Sequence, residues 1–383
     1  MSTQESHNRS GTHTAWAPLL FAGWLLAAGC GGGGEKAARG SDLDRLDPAK
    51  IPAEERVAGQ PAELVAVLAH KPPSQRMGGG FGVMPGSLAF HPGGRWLVSC
   101  DAEANGSTRV WDLATARQAD ETMLGDNRFL AVAFSPDGRL LACVQSLSPE
   151  ILLADFRDGK LAPRRSHMDL KESHKPAGPL VGTLRAAAFS PDGQTVASGG
   201  VDRTVRFWNT GGEALKLRSV LNVPAEVTAV AYAPDGRTLA GASPDRTVRL
   251  WDVAARPPRE LAALRHPAAV TCVAVAPDGR TLAAGCLDRT VWLGDLTADP
   301  PQVRSRLEGH EGEVKTVQFA PAGSLLLSRD QAARVFLWDA GGAPLREWKG
   351  NFDHPVFAPD GKHLAGSGIG GVIYILRLPD AGP

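Results

Sequence analysis

Net charge, tyrosine and long apolar runs are scarce in this 383-residue sequence, and each shortage narrows the class of protein. The 41 basic residues balance the 41 acidic ones, so no overall field draws the chain to nucleic acid, and we expect no nucleic-acid partner. Two tyrosines stand against 44 glycines and 29 prolines, which favours short strands joined by tight turns over a helical bundle. No apolar run reaches the roughly 20 residues that a membrane-spanning helix needs.

The sequence also lacks the motifs that usually carry catalysis or hold a metal. It contains no G-x-S-x-G nucleophile elbow, no H-E-x-x-H, no P-loop and no cysteine pairs with zinc spacing. The segment GSGIGG at 366–371 matches a dinucleotide fingerprint formally, but the strand-like VIYIL follows it where that motif needs a helix. We therefore expect no enzyme activity, no cofactor and no metal site.

The N-terminal region carries the pattern of an export signal. Residues 15–28 form an apolar run of about 14 residues, which is the length of a signal peptide. The run ends in LAAGC at 26–30, and this resembles the lipobox of bacterial lipoproteins, although Ala27 stands where leucine is usual. The resemblance implies a signal peptide over 1–29 and a lipid on Cys30 that anchors the exported chain to the cell membrane or outer membrane, in the periplasm or at the cell surface. Ordinary secretion is the alternative.

The segment after the predicted lipid site reads as a tether. Residues 30–60 are first glycine-rich and then charged, with no period of two or 3.6 that would give them a face to bury. We expect a flexible linker there, followed by a single domain over 61–383.

Beyond residue 60 one turn motif recurs seven times, with successive prolines 38 to 55 residues apart. Each copy lies between two alternating apolar stretches, so it predicts a hairpin of strands a and b. A third stretch, strand c, ends most units in Trp-Asp or a variant of it, and a fourth strand follows. The turns are HPGG (91–94), SPDG (135–138), SPDG (190–193), APDG (233–236), APDG (276–279), APAG (320–323) and APDG (358–361).

These repeats, with their spacing from turn to Trp-Asp, resemble the WD-repeat family. The resemblance implies an all-β fold, a seven-bladed β-propeller of four-stranded antiparallel blades. The seventh copy stops after 372–378, and the orphan strand at 63–70 precedes the first copy, so we predict that the two pair and close the ring. Six or eight blades are the alternatives, and we expect a monomer.

In that family a hydrogen-bond network joins an aspartate, a histidine, a hydroxyl and a tryptophan within a blade, and it serves the scaffold. No blade here carries all four in register. Blade six comes nearest, but Ala332 occupies the aspartate slot and Asp330 is displaced by two, while blade five has Gly294 in place of tryptophan. The matching residues are Asp202, Asp245 and Asp288 for the aspartate, His310 for the histidine, Ser99, Ser198 and Ser328 for the hydroxyl, and Trp111, Trp208, Trp251 and Trp338 for the tryptophan.

Propellers of this family bind partners on the face that carries the d–a and b–c loops, so we look for binding residues there. A basic insertion near 160–182 is longer than the repeat requires, which indicates either a contact surface or a solvated loop. The candidate partner-binding residues are Arg164, Arg165, His167 and Lys171 in the insertion and Arg185, Lys315 and Asp353 at inner positions of strand a.

The sequence thus predicts a protein-interaction scaffold at the bacterial cell envelope that binds a protein or peptide. The alternative is an envelope enzyme or small-molecule sensor that uses the central channel. Four cysteines lie within the repeats. Cys272 and Cys286 sit diagonally on one predicted hairpin, so a disulfide and two free thiols are both open, and no pairing is predicted for Cys100 or Cys143.

Overall fold

A computed structural model describes residues 42–50, 63–69, 85–101, 107–125, 129–145, 151–164, 184–350, 352–368 and 372–378. Within them, 28 strands form seven four-stranded antiparallel sheets arranged as the blades of a ring. This confirms the predicted seven-bladed propeller. Among the described residues, no helix combines the length and the apolarity that a membrane crossing requires.

Each blade adds its strands a to d in chain order from the centre outward. Blade one contains β2 (Pro85–Phe90), β3 (Trp96–Asp101), β4 (Ser107–Asp112) and β5 (Arg117–Met123). Blade two contains β6 (Phe129–Phe134), β7 (Leu140–Gln145), β8 (Ile151–Arg157) and β9 (Lys160–Pro163). Blade three contains β10 (Leu184–Phe189), β11 (Thr195–Gly200), β12 (Thr204–Asn209) and β13 (Lys216–Asn222).

The remaining blades follow the same path. Blade four contains β14 (Ala229–Tyr232), β15 (Thr238–Ser243), β16 (Thr247–Asp252) and β17 (Arg259–Arg265). Blade five contains β18 (Val270–Val275), β19 (Thr281–Cys286), β20 (Val291–Asp295) and β21 (Gln302–Leu307). Blade six contains β22 (Val314–Phe319), β23 (Leu325–Asp330), β24 (Arg334–Asp339) and β25 (Pro344–Lys349). Blade seven contains β26 (Asp353–Phe357), β27 (His363–Ser367), β28 (Val372–Arg377) and, as its outer strand, β1 (Leu64–Ala69).

The ring is closed by the strand that precedes the first repeat. In the antiparallel pair of β1 with β28, Val67 lies opposite Tyr374 and Leu68 opposite Ile373. Glu63, just before β1, also forms an ion pair with Arg346 of blade six. The predicted pairing of 63–70 with 372–378 is confirmed, and it completes the last blade to four strands like the other six.

The recurring proline turns are the hairpins between strands a and b. The glycine that ends each turn has a left-handed φ between 65° and 76°, from Gly94 in blade one to Gly361 in blade seven. Glycine adopts this conformation without the Cβ clash that other residues meet, so the recurrence of glycine in the motif follows from the backbone.

The hydrophobic core is divided among the interfaces between blades. One cluster, for example, joins Val98 and Val110 of blade one with Phe129 and Val132 of blade two. A single blade cannot bury both of its faces, so the stability of the ring comes from stacking neighbours.

Part of the predicted linker packs onto the ring. Residues 42–50 form two short 3-10 helices, Asp42–Arg45 and Pro48–Lys50, and Leu43 is fully buried in the cluster between blades seven and one. Arg377 donates to the Asp44 carbonyl at 3.3 Å. The expectation of a free tether therefore does not hold for these nine residues. Residues 1–29 and Cys30 lie outside the described residues.

Candidate partner-binding surface

The path of each blade puts its loops on two opposite faces of the ring. The d–a loops and b–c turns lie on one face, called here the loop face, and the a–b and c–d turns lie on the other. Residues that stabilise the loops of the loop face determine which side chains remain available to a partner there.

Blade six contains a complete network beneath the loop face. The Trp338 indole donates to Ser328 Oγ at 2.8 Å, Ser328 Oγ lies 2.6 Å from His310 Nε2, and His310 Nδ1 lies 3.1 Å from Asp330. Burial lowers the pKa of His310 despite the Asp330 charge. A neutral imidazole then donates from Nδ1 to Asp330 and accepts the Ser328 hydroxyl at Nε2, so each group in the chain is satisfied.

The aspartate of this network is the residue that the sequence analysis describes as displaced. Asp330 accepts hydrogen bonds from His310 and from the backbone N–H groups of Glu311, Gly312, Ala332 and Arg334 at 2.9 to 3.2 Å. Burial favours its neutral form, but the Arg334 N–H and the neighbouring His310 outweigh burial, and its pKa is lowered. Asp330 thus takes the role that the repeat pattern predicts for position 332.

The other network residues form shorter or different sets of bonds. Ser99 and Ser198 accept from the indoles of Trp111 and Trp208 at 2.9 and 2.7 Å. In blade four Gly241 holds the position of Ser328, and a Cβ built there would lie 2.3 Å from the Trp251 ring, so the indole fills the space of the missing hydroxyl.

The three aspartates expected to bond a histidine bond their own turns instead. Asp202 accepts from Thr204 and Arg206, at 2.9 and 2.5 Å, and Asp245 accepts from Thr247 and Arg249, both at 2.6 Å. Asp288 accepts from Thr290 at 2.5 Å. The shared D-R-T sequence therefore fixes the b–c turn locally in blades three, four and five.

Blade five has a buried histidine that the sequence analysis missed. His266 precedes β18 by the same four positions by which His310 precedes β22, so the sequence contains the signal. Neither of its ring nitrogens has a hydrogen-bond partner among the described residues, and burial lowers its pKa to about 4 against the charge of Asp288. The positions of Ser328, Asp330 and Trp338 are held here by Ala284, Cys286 and Gly294.

Two of the three candidates at the inner positions of strand a form ion pairs with neighbouring side chains. Lys315 pairs with Glu313 at 2.8 Å, and both side chains are nearly buried. Asp353 accepts from Arg329 at 2.8 Å, and His354 and Arg329 lower its pKa although burial opposes them. Arg185 is half-buried, and no ion pair links it to the described residues. Of these candidates, Lys315 and Asp353 are already paired with charged side chains of the protein.

Arg164 also has a structural role, at a place the sequence analysis did not anticipate. Its guanidinium donates two hydrogen bonds, of 2.7 and 2.8 Å, to the Asp155 carboxylate of β8. It also donates to the carbonyls of Thr210 and Gly212 in blade three. It therefore links blades two and three through the c–d turn, on the face opposite the loop face. The other insertion candidates, Arg165, His167 and Lys171, lie outside the described residues.

The loop face presents three exposed arginines in adjacent blades. Arg203, Arg246 and Arg289 occupy the same position of the b–c turns of blades three, four and five, each with a left-handed φ of 59° to 72°. Within the described part of the chain none of the three forms an ion pair, because the neighbouring aspartates bond threonine and arginine side chains of their own turns. These residues are called the arginine arc below. Leu287, beside it, is 47% exposed.

The opposite face carries an open groove between blades two and three. It has a volume of about 1880 Å³ and is lined by residues of both charges, including Asp137, Asp192, Arg157 and Arg218. Charges of opposite sign lie side by side there, so the groove has no uniform potential. Among the described residues, no group of three or more histidine, cysteine or acidic side chains could hold a metal ion.

A family model, the WD domain G-beta repeat, matches five segments of the chain, at 82–112, 173–209, 216–252, 259–295 and 301–339. The segments end at strand c of blades one, three, four, five and six. The two remaining blades, two and seven, have no Trp-Asp pair in strand c. A comparison with curated proteins gave no match.

Proposed function

Because the chain is a seven-bladed WD40-repeat β-propeller, an architecture that commonly serves as a protein-interaction scaffold, we propose that it binds an acidic protein or peptide partner at a bacterial cell envelope. The proposed binding surface is the arginine arc on the loop face. The proposed anchor is a lipid on Cys30, at the end of the signal peptide over 1–29.

The single observation that carries the partner class is the arginine arc itself. Each of the three arginines follows an aspartate, but Asp202 and Asp245 are already paired with Arg206 and Arg249. Arg203 and Arg246 therefore add uncompensated positive charge to the loop face, whereas Arg289 is balanced by Asp288 beside it. Each exposed ion pair contributes less than about 1 kcal/mol, so an acidic segment must contact several arginines at once. Arginine suits this role because its planar fork binds carboxylates with two parallel hydrogen bonds.

The backbone supports a binding role for these arginines. A left-handed conformation costs an ordinary L-residue roughly 1–2 kcal/mol, and glycine or asparagine would relieve that strain. The turns need an aspartate and a threonine for their hydrogen bonds, but the arginine side chain makes no ion pair within the described fold. Three arginines in this strained position therefore support selection for something other than the fold.

The test of the arc is a triple variant with a matched control. R203N/R246N/R289N removes the arc and keeps a residue that tolerates the left-handed conformation. The control R139N/R237N/R280N removes three exposed arginines from the a–b turns on the opposite face, with the same change in net charge. Binding of a fluorescein-labelled peptide of glutamate and leucine is measured by anisotropy at several salt concentrations.

We expect the arc variant to bind this peptide at least about tenfold more weakly, with a smaller salt dependence, while the control binds as wild type. Equal losses in both variants would mean that the peptide senses only the total charge, and the arc would then not be the binding surface. The control variant should unfold within about 0.5 kcal/mol of wild type, since surface substitutions seldom cost more. The arc variant should be at least as stable as wild type, because asparagine relieves the left-handed strain at all three positions.

The anchor and the basic insertion have their own tests. C30S should release the protein from membranes, and mass spectrometry of the wild type should show residues 1–29 removed. A C30S protein that stays bound while the wild type retains 1–29 would contradict the anchor.

The insertion should be removed over 166–182 only, because Arg164 and β9 belong to the fold. If the deletion variant binds the acidic peptide more weakly than wild type, the insertion is part of the binding surface.

A further inference from the structure

Two buried cysteines face each other across the interface of blades one and two. In β3, the side chain of Ser99 accepts from Trp111, which packs in the cluster between blades seven and one. Side chains alternate along a strand, so the next residue, Cys100, points to blade two. Cys143 lies 44 residues after Ser99, at the same position of the next repeat, and so points to blade one.

The contacts agree with this placement. Cys100 and Cys143 belong to the same cluster between blades one and two, and both are fully buried. Both are free thiols in the structure, and the Cys100 thiol lies 3.4 Å from Thr108 Oγ1 of its own blade. Burial and this neighbouring thiol raise the pKa of Cys143 well above its usual value. The position of Trp111 is held in blade two by Ala154, so no indole covers Cys143.

We propose that Cys100 and Cys143 form a disulfide between blades one and two in the exported protein, an inference that rests on the envelope location in the proposed function. Exported proteins meet an oxidising environment, in which paired thiols are converted to disulfides. The bond would add a covalent link to the apolar packing and to the hydrogen bonds that the Val132 and Leu161 N–H groups of blade two donate to Ser87 and Asp120 of blade one.

The oxidation is a thiol–disulfide exchange with a protein disulfide oxidant of the envelope. One thiolate attacks the oxidant and forms a mixed disulfide, and the second thiolate then displaces the oxidant's sulfur. Two S–H bonds break and one S–S bond forms, while the oxidant takes up two electrons and two protons as a dithiol. Because both thiols are buried in the finished ring, the exchange takes place before blades one and two pack.

Blade five provides a matched pair of cysteines that should not react. Cys272 lies opposite Gly285, and Cys286 is the next residue, so the two thiols point to opposite faces of the sheet. Cys272 packs against Val314 and Val317 of blade six, whereas Cys286 packs in the cluster shared with blade four. Burial raises the pKa of Cys272 to about 12. Two residues near in sequence are thus kept apart by the sheet.

The first arm of the test reads the thiols of the protein taken from membranes. Free thiols are blocked with N-ethylmaleimide during denaturation, and tryptic peptides are mapped without reduction. Peptides 96–109 and 140–157 should be joined with the loss of two hydrogens, while peptides 266–280 and 281–289 carry maleimide. Maleimide on Cys100 and Cys143 in protein that has lost residues 1–29 would overturn the disulfide.

The second arm does not depend on where the protein resides. The full chain carrying C30S is refolded in a glutathione redox buffer and in reductant, beside a C100S/C143S variant and a C272S/C286S variant. The oxidised C30S protein should contain the 100–143 link and melt roughly 5–10 °C above the reduced one. C272S/C286S should keep this difference and C100S/C143S should lose it.

The outcomes separate the two proposals. Refolding without the link overturns the disulfide whatever the location of the protein. Residues 1–29 retained on the cellular protein, together with a link formed on refolding, would contradict the envelope location and leave the pairing supported.

Discussion

Blades five and six are neighbours with the same chain path, but they treat the polar groups at the same positions differently. In blade six, Asp330, His310, Ser328 and Trp338 satisfy one another. In blade five, the last two positions are Ala284 and Gly294, the aspartate position is Cys286, and His266 has no partner among the described residues.

The difference shows that the ring does not require the network in every blade. Removing both members of a buried polar pair costs little, whereas removing one leaves the other unsatisfied at about 1–3 kcal/mol. In blade five, small residues replace three of the four members of the network. The cost of an unsatisfied polar group therefore falls on His266 alone. Single substitutions in the network of blade six should therefore destabilise the protein strongly. Substitutions at the same positions of blade five should cost little, except at His266.

The largest effect should come from the aspartate position. D330A in blade six removes the acceptor of five hydrogen bonds, so the free energy of unfolding should fall by about 4 kcal/mol. C286A, at the same position of blade five, removes only a thiol and should cost about 1 kcal/mol. Urea unfolding of the two variants measures the gap. Equal losses would mean that the network adds nothing beyond packing.

This comparison also marks how far the sequence could predict the structure. The seven turns and the closing strand were predictable because proline, aspartate, glycine and strand alternation act locally. The role of Asp330 was not predictable. The b–c turn of blade six has the same shape as that of blade three, since Ala333 and Arg203 are both left-handed. Nothing in the sequence shows that the carboxylate two residues before position 332 would bond His310. A position in the repeat does not specify the direction of the side chain.

The binding candidates show the same limit. Arg164 was grouped with its loop because sequence gives loop membership, but the long side chain folds back to Asp155 and across to the next blade. The three D-R-T copies of the arginine arc are visible in the sequence. Their lack of ion pairs within the described residues depends on the aspartates, which bond threonine and arginine side chains of the same turns. His266 was missed because the residues around it no longer match the repeat.

An intermediate effect should appear when the orphan histidine is removed at acid pH. Burial lowers the pKa of His266 to about 4, below the 6.5 of an unfolded histidine, so the unfolded chain takes up a proton first as pH falls. Stability from this group is complete above pH 6.5 and is lost between pH 6.5 and about 4. At pH 5 the loss is about 2 kcal/mol.

H266F keeps the ring that packs edge-on against Trp292 and removes the titration. Because it also removes two ring nitrogens without partners, it should be more stable than wild type by about 1 kcal/mol at pH 7.5, and by about 2 kcal/mol more than that at pH 5. H310F, which removes the bonded histidine of blade six, should be destabilised by about 2–3 kcal/mol at pH 7.5. A wild-type and H266F difference that does not change with pH would show that His266 titrates normally in the folded protein.

The smallest effect tests whether blade five can regain part of the network. Ala284 occupies the position of Ser328, so A284S places a hydroxyl on the side of the sheet where His266 lies. A bond from this hydroxyl to a ring nitrogen of His266 should raise the free energy of unfolding by about 1 kcal/mol at pH 7.5. Ala283 is equally buried but packs in the cluster shared with blade six, so A283S should instead lose about 1–3 kcal/mol through an unsatisfied hydroxyl. Opposite signs for these adjacent serines would mean that blade five lacks only the partner of its histidine. Equal losses would mean that its interface has closed over the position, and that the two blades differ in packing as well as in hydrogen bonding.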